Sequence, residues 1–220
     1  MARELYYRIL LRAGATAHYD LSPDIASMTI DEEAGKPDQL TIQMNDPYKL
    51  FSHALREGVE VEVDLGWTDD FSLAFRGYIY RVDGDFSRDK VPGLKVTAYD
   101  ASMKMGLRKH TRSHAGPLDA IVRTVVGNYS QYLYLADKGI QIDPMPSFNG
   151  DGIRQQHETD LAFLRRMAGD YACEFYASPE LLGSTVRFVS HTAMLNQDPD
   201  VQVAHGRCGT PNRLLRFQPR

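Results

Sequence analysis

Over most of the first hundred positions, polar and apolar residues alternate one by one; later in the chain they recur at spacings of three and four. In Gln39–Asn45, Leu40, Ile42 and Met44 fall on one face and Thr41 and Gln43 on the other, the period-two pattern of a half-buried antiparallel strand. Asp46-Pro47 ends that run. Val59–Leu65 alternates most cleanly, with Glu60, Glu62 and Asp64 set against four aliphatic residues. The turn Gly66-Trp67-Thr68-Asp69-Asp70 leads to a long strand predicted over 71–82, in which Gly77 is expected to mark a bulge or bend. Further strands are predicted over 4–11, ended by Gly14, over 25–31 and over 93–100, with a short helical turn over 48–55. Five or six such strands, each with one apolar face, suit a small barrel or sandwich.

The texture changes from Ala101. Lys104, Arg108, Lys109 and Arg112 form a basic connector, and Pro117 opens a helix whose buried stripe is Leu118, Ile121, Val122 and Val125. A short strand over 139–142 and a Pro/Gly/Asn-rich loop over 143–152 lead to a second helix. Thr159 is its N-cap, and Glu158 and Asp160 sit where the helix dipole favours a carboxylate, both read as first-turn residues along with His157. Leu161, Leu164, Ala168 and Tyr171, widened by Phe163 and Met167, form its apolar stripe, leaving Arg165, Arg166 and Asp170 outside. Strands over 173–176 and 185–189 follow, separated by a turn at Ser178-Pro179-Glu180. Beyond His191 the chain reads as loop, with Arg213–Phe217 as the start of one more strand. The expected fold class is α+β, mainly β: a β-barrel over 1–110, an α+β subdomain over 111–190 and a loop-rich end over 191–220.

Composition narrows the function classes. The 220 residues are 43% hydrophobic and 25% charged, as in a globular chain able to bury a substantial core. No apolar run is long enough to span a bilayer, and the first residues lack a signal-peptide pattern, so synthesis in the cytoplasm and no integral membrane segment are expected. Cys173 and Cys208 are too few for a disulfide framework and are expected to be reduced. A formal charge of -4 gives no general drive toward nucleic acid or acidic membrane.

No motif proposes bond chemistry. His110 and His114 have the spacing of a metal pair on a helix, but Lys104, Lys109 and Arg112 surround them, and a solvated connector is the better reading. His157-Glu158 lacks the second histidine of a zincin motif, because position 161 is Leu. Cys173 with His157 or His191 would pair nucleophile and base, yet it lies in an aromatic strand without an oxyanion loop, where a buried inert thiol is expected. The basic connector reads as a surface linker rather than a nucleic-acid contact. No catalytic, cofactor-binding or metal residue is therefore assigned, and no cofactor is expected. Glu60, Glu62 and Asp64 read as the wet face of a barrel; in a barrel lining a tube they would face the lumen and repel passing DNA phosphates.

The run from Glu158-Thr159-Asp160-Leu161 through Arg165-Arg166-Met167-Ala168 to Tyr171 and its aromatic strand resembles a segment of the phage late control protein D and VgrG-like baseplate hub proteins. The family's other marks are matched in order by Asn45-Asp46-Pro47, Leu65-Gly66-Trp67, Phe75-Arg76-Gly77, Ala98-Tyr99-Asp100 and the helix Leu118–Val122, so that the resemblance covers most of 1–190. It implies a tube-like barrel and a structural, non-enzymatic protein of a contractile tail or injection system, located in the virion tail baseplate and assembled in the bacterial cytoplasm. It implies a homo-oligomeric ring, a trimer, joining a tail tube protein to a central spike protein, with DNA only as passing cargo. Full-length members carry a second barrel after the α+β part, and the resemblance implies that the loop-rich end over 191–220, with its strand start at Arg213–Phe217, is the truncated start of it. Two other function classes remain open at this point. A baseplate-associated cell-wall hydrolase would cluster carboxylates in a cleft; a free-standing binding module would expose an aromatic groove, using Trp67, Tyr78 and Tyr80.

Overall fold

The computed structural model describes residues 5–12, 18–33, 35–46, 51, 54–85, 91–133, 135–143, 152–180 and 183–196. The expected features at Gly14, within most of 48–55 and 143–152, at Cys208 and at 213–217 lie outside these residues.

Seven antiparallel strands form the first sheet: β1 (Leu5–Arg12), β2 (His18–Asp20), β3 (Ile25–Asp31), β4 (Gln39–Asn45), β5 (Glu60–Trp67), β6 (Asp70–Asp85) and β7 (Gly93–Asp100). Their order is β2-β1-β5-β6-β7-β4-β3, so the two outermost strands are consecutive in sequence and joined only through Leu21–Asp24. Laid flat, the six inter-strand gaps of this sheet would span about 29 Å, whereas the step from Asp20 to Ile25 reaches at most about 18 Å. The sheet must curl, and it forms a half-barrel whose end strands are not paired with each other. Its apolar positions turn inward, bringing Ile9, Leu11, Ile42, Val61, Val63 and Phe75 into one fully buried cluster.

Two bulges bend β6. Val63 faces Phe75 but Asp64 faces Leu73, leaving Ala74 extra, and Ile79 faces Ala98 but Arg81 faces Thr97, leaving Tyr80 extra. Gly77, expected to be the bulge, lies between them and has a different task. Tyr99 of β7 approaches so closely that a Cβ at Gly77 would overlap its carbonyl oxygen.

A short 3-10 helix, Ala101–Gly106, leads out of the sheet, capped by the Asp100 carboxylate, which accepts from Ser102 N at 2.5 Å. The remainder comprises β8 (Lys109–His114), α1 (Leu118–Gly127), α2 (Ser130–Leu133), β9 (Leu135–Ile142), β10 (Ile153–Thr159), α3 (Asp160–Asp170), β11 (Cys173–Glu180), β12 (Gly183–Ser190) and α4 (His191–Leu195). β8 pairs with β10, and β12 lies between β11 and a parallel β9. The apolar stripes of α1 and α3 meet β11 and β12 in a second core containing Val122, Phe163, Met167, Phe175 and Phe188. Thr159 caps α3, its hydroxyl accepting from Ala162 N at 3.1 Å.

Several local expectations are corrected. The connector contains a strand, β8; His157 and Glu158 belong to β10 rather than to the first turn of α3; Ser178-Pro179-Glu180 continues β11; and the stretch read as loop beyond His191 begins with α4, whose first residue is His191. For the three strands a cross-strand partner decides the conformation, and for α4 a cap on the residue just before it. Ser178 and Pro179 pair with Thr185 and Ser184, and the Ser190 hydroxyl caps α4 by accepting from Ala193 N.

Candidate interaction surface

The alternation of β5 places Glu60, Glu62 and Asp64 together on the outside of the curled sheet, where β1 and β6 supply basic residues in register. Arg8 stands opposite Asp64, Arg12 opposite Glu60, and Arg76 opposite Glu62. The Arg8 Nε donates to Asp64 at 2.9 Å, its guanidinium held above its ordinary pKa by that hydrogen bond, and Arg12 Nε donates to Glu62 at 2.9 Å. Arg76 Nε donates to Glu62 at 2.6 Å and lies 3.7 Å from Glu60. All three acids are buried beneath these side chains. The reading of a wet acidic face is therefore corrected: three arginines offset three carboxylates, and the ladder is a neutral, hydrogen-bonded plate. Repulsion of phosphate by Glu60, Glu62 and Asp64 has no net charge to act through. The sequence signal for this was available in Arg8, Arg12 and Arg76, but their pairing depends on strand register.

At one end of the sheet the β5–β6 hairpin exposes aromatic surface. Gly66 stands across from Tyr6 on one side and Phe71 on the other, and those two rings pack over it at 4.5 Å. A Cβ at Gly66 would press on Phe71 Cα at 2.6 Å, and the backbone there has φ +152°, so glycine is required. Trp67 and Phe71 remain 43% and 47% exposed. Of the aromatic groove expected from Trp67, Tyr78 and Tyr80, the members separate. Tyr78 is buried, its hydroxyl donating to the Tyr132 carbonyl at 2.8 Å, while Tyr80 is exposed beside Tyr99 with ring centroids 5.4 Å apart.

That second pair lines a groove of about 900 Å³ between the sheet and the 3-10 helix, with Met103 and Leu107 on its walls. Asp31, Glu32 and Glu33 form its rim, joined by Lys36, whose ammonium group is 2.8 Å from Glu33.

Other sequence candidates fall into structural roles. His110 and His114 are four apart on a strand, so they are about 13 Å from each other along it. His110 lies 3.9 Å from Asp160, and His114 stacks on Phe163 and bonds Gln155 at 3.1 Å. Lys104 rests over the Tyr78 ring at 4.4 Å, its pKa lowered by burial, and Arg112 turns toward Asp160 at 3.7 Å. The Cys173 thiol is pushed up by burial and donates to the Tyr171 carbonyl, while His191 bonds Glu174 at 3.2 Å. No group of three or more His, Cys, Asp or Glu side chains able to hold a metal ion occurs among the described residues, and none of their helices is long and apolar enough to cross a membrane.

No family model matches the chain, and no curated protein does. Solved structures do. The fold is similar to that of a tail protein from Neisseria meningitidis, at 13% identity and TM-score 0.58, over 83% of this chain and 51% of that one. It is similar to the 43 kDa tail protein of prophage MuSo2 from Shewanella oneidensis, at 14% identity and TM-score 0.57, over 83% and 52% of the two chains. A chain of the Francisella PdpA-VgrG complex matches at 11% identity and TM-score 0.55, over 91% of this chain and 34% of that one. The chain thus has the fold of phage tail and VgrG proteins, and it spans about half the length of the tail proteins it matches.

Proposed function

We propose that a chain with this fold is a structural component of a phage tail or related injection particle, and that within it the chain forms a trimeric hub ring joining a tail tube to a central spike. The observation that carries this reading is the likeness of the fold to two tail proteins over 83% of the chain. Among the described residues the outer strands β2 and β3 each keep an edge unpaired within the sheet, and closing a ring of subunits is a way to cover such edges. The neutral ladder on β1, β5 and β6 fits a role by shape rather than charge, with DNA as passing cargo. The work of such a hub is mechanical, and it asks no bond chemistry of the residues described.

Light scattering on the purified chain over a concentration series tests the ring. A particle of three chain masses that persists on dilution, with a central opening in negative-stain images, is the expected result. A strict monomer at every concentration would remove the ring from the proposal and leave the fold alone.

A further inference from the structure

The two-stranded ribbon of β8 and β10 turns one face to the protein and the other to solvent. Along β8, His110, Arg112 and His114 are half-buried, while Lys109, Thr111 and Ser113 between them are exposed. The inner face is fixed: His114 stacks on Phe163, Arg112 turns toward Asp160, and Gln155 of β10 is fully buried. Register sets the exposed Arg154 opposite Ser113, on the same outer face as Lys109. Gln155 faces Arg112 and Glu158 faces His110, so Gln156 and His157 share the position opposite Thr111 as a β-bulge. His157 adopts left-handed backbone, φ 51°, with its N–H donating to the Thr111 hydroxyl at 3.2 Å. That conformation is uncommon for a residue with a side chain, and here it accompanies the exposure of both bulge residues.

The chemistry of this face is one-sided. Residues 101–118 contain Lys104, Arg108, Lys109 and Arg112 and no acid, in a chain whose formal charge is -4. Residues 152–157 add Arg154 and again no acid, and Glu158, which follows, is engaged by Arg166 at 2.6 Å. The exposed side chains of the face, Lys109, Thr111, Ser113, Arg154, Gln156 and His157, can all donate hydrogen bonds, and none is aliphatic. A protein partner is held by an apolar centre, which this face does not offer. A single-stranded nucleic acid stacks on aromatic platforms, and no Phe, Tyr or Trp stands among these six residues. A duplex backbone asks for what is present, charged and neutral donors in a row. Lys109, Thr111 and Ser113 repeat at about 7 Å along the strand, roughly twice the rise of about 3.4 Å per phosphate in one strand of a duplex.

We propose that the outer face of the β8–β10 ribbon is a sequence-independent contact for the sugar–phosphate backbone of duplex DNA. Arg108, exposed just before β8, meets phosphates together with Lys109 and Arg154, and Thr111, Ser113 and Gln156 donate hydrogen bonds between them. The inference is independent of the ring.

Fluorescence anisotropy of a short labelled DNA duplex of mixed sequence, titrated with the full chain, tests it. Binding should weaken roughly 40-fold between about 50 and 200 mM salt, the double-logarithmic slope of about -2.7 that three neutralised phosphates give. Lys109→Gln combined with Arg154→Gln should bring the slope to about -0.9, and Arg108→Gln alone to about -1.8. Lys95→Gln, which removes an exposed cation on β7, should leave it unchanged. All four positions are exposed, and circular dichroism checks that each variant keeps its fold. Absence of binding at about 50 mM salt would overturn the proposal, as would a slope that the ribbon variants do not move. Polyglutamate competing as well as unlabelled duplex would overturn it too, leaving a surface for any polyanion. So would tighter binding of a single strand, which would assign the face to unpaired nucleic acid.

Discussion

Asp38 and Asp100 stand side by side where β4 begins and β7 ends. Asp38 N donates to the Asp100 carboxylate at 2.6 Å, and Asp100 N donates to the Asp38 carbonyl at 3.0 Å, so the backbone holds two carboxylates close together. Burial raises both pKa values, that of Asp38 to about 7. The consequence for stability has a definite sign. Between about pH 4 and 7 the folded chain retains a proton that the unfolded chain has released, so stability falls as pH rises through that window and levels off above it. Asp38 is partly open to solvent, and the change is on the order of 1–2 kcal/mol after allowing for screening. Thermal unfolding at pH 5 and pH 8 checks this: the wild-type midpoint should be lower at pH 8, and Asp38→Asn should narrow the gap. A gap left unchanged by Asp38→Asn would place the titration elsewhere.

At the scale of elements, α3 and its surroundings separate what the sequence could reveal from what it could not. Spacing alone marked the N-cap at Thr159 and the buried stripe from Leu161 to Ala168, because both depend on residues within one or two turns. The strands β3, β4 and β7 were legible for the same reason: their alternation is local, and nothing distant competes with it. Asp160 stands where the helix dipole favours a carboxylate, yet it is fully buried. Its carboxylate accepts from the Tyr129 hydroxyl at 2.8 Å and from Gln155 Nε2 at 2.7 Å, binding α3 to β10 and to the end of α1. Partners thirty-one and five positions away leave no local pattern, just as the arginines covering β5 left none. Asp160→Ala should cost about 3 kcal/mol, since it takes from the buried Gln155 amide the nearer of its two acceptors, leaving the Glu158 carbonyl at 3.2 Å, and removes the charge that Arg112 faces. Urea unfolding measures the loss, and a second signal identifies its cause. The Tyr129 hydroxyl, pushed up to about 12 by burial and by its bond to Asp160, should titrate at lower pH in the variant, as ultraviolet difference spectra would record. An unmoved tyrosine titration would mean that the bond does not govern Tyr129.

Across the whole molecule, the two cores are linked through residues that belong to one by sequence and to the other by packing. Tyr78 is part of β6, but its ring joins the second core, packs edge-on to Tyr132 at 6.4 Å and carries the Lys104 ammonium group on its face. Ala101 and Met105 of the 3-10 helix are buried in that same core while the helix is capped from β7. Unfolding the α+β unit would therefore expose Tyr78 and loosen β6, the longest strand of the half-barrel. We propose that the two units unfold as one. Trp67, the single tryptophan, reports on the half-barrel, and α1 and α3 dominate the helical circular dichroism, so two probes follow the two units separately. Their urea transitions should coincide, as a single cooperative unit requires. Tyr78→Phe, which removes the hydrogen bond from its hydroxyl to the Tyr132 carbonyl and keeps the ring, should lower the unfolding free energy by about 1 kcal/mol without separating the probes. Tyr78→Ala, which also removes the ring between the cores, should draw the transitions apart. Coincident curves in that variant would show that the coupling runs through other contacts, with the 3-10 helix the next place to cut.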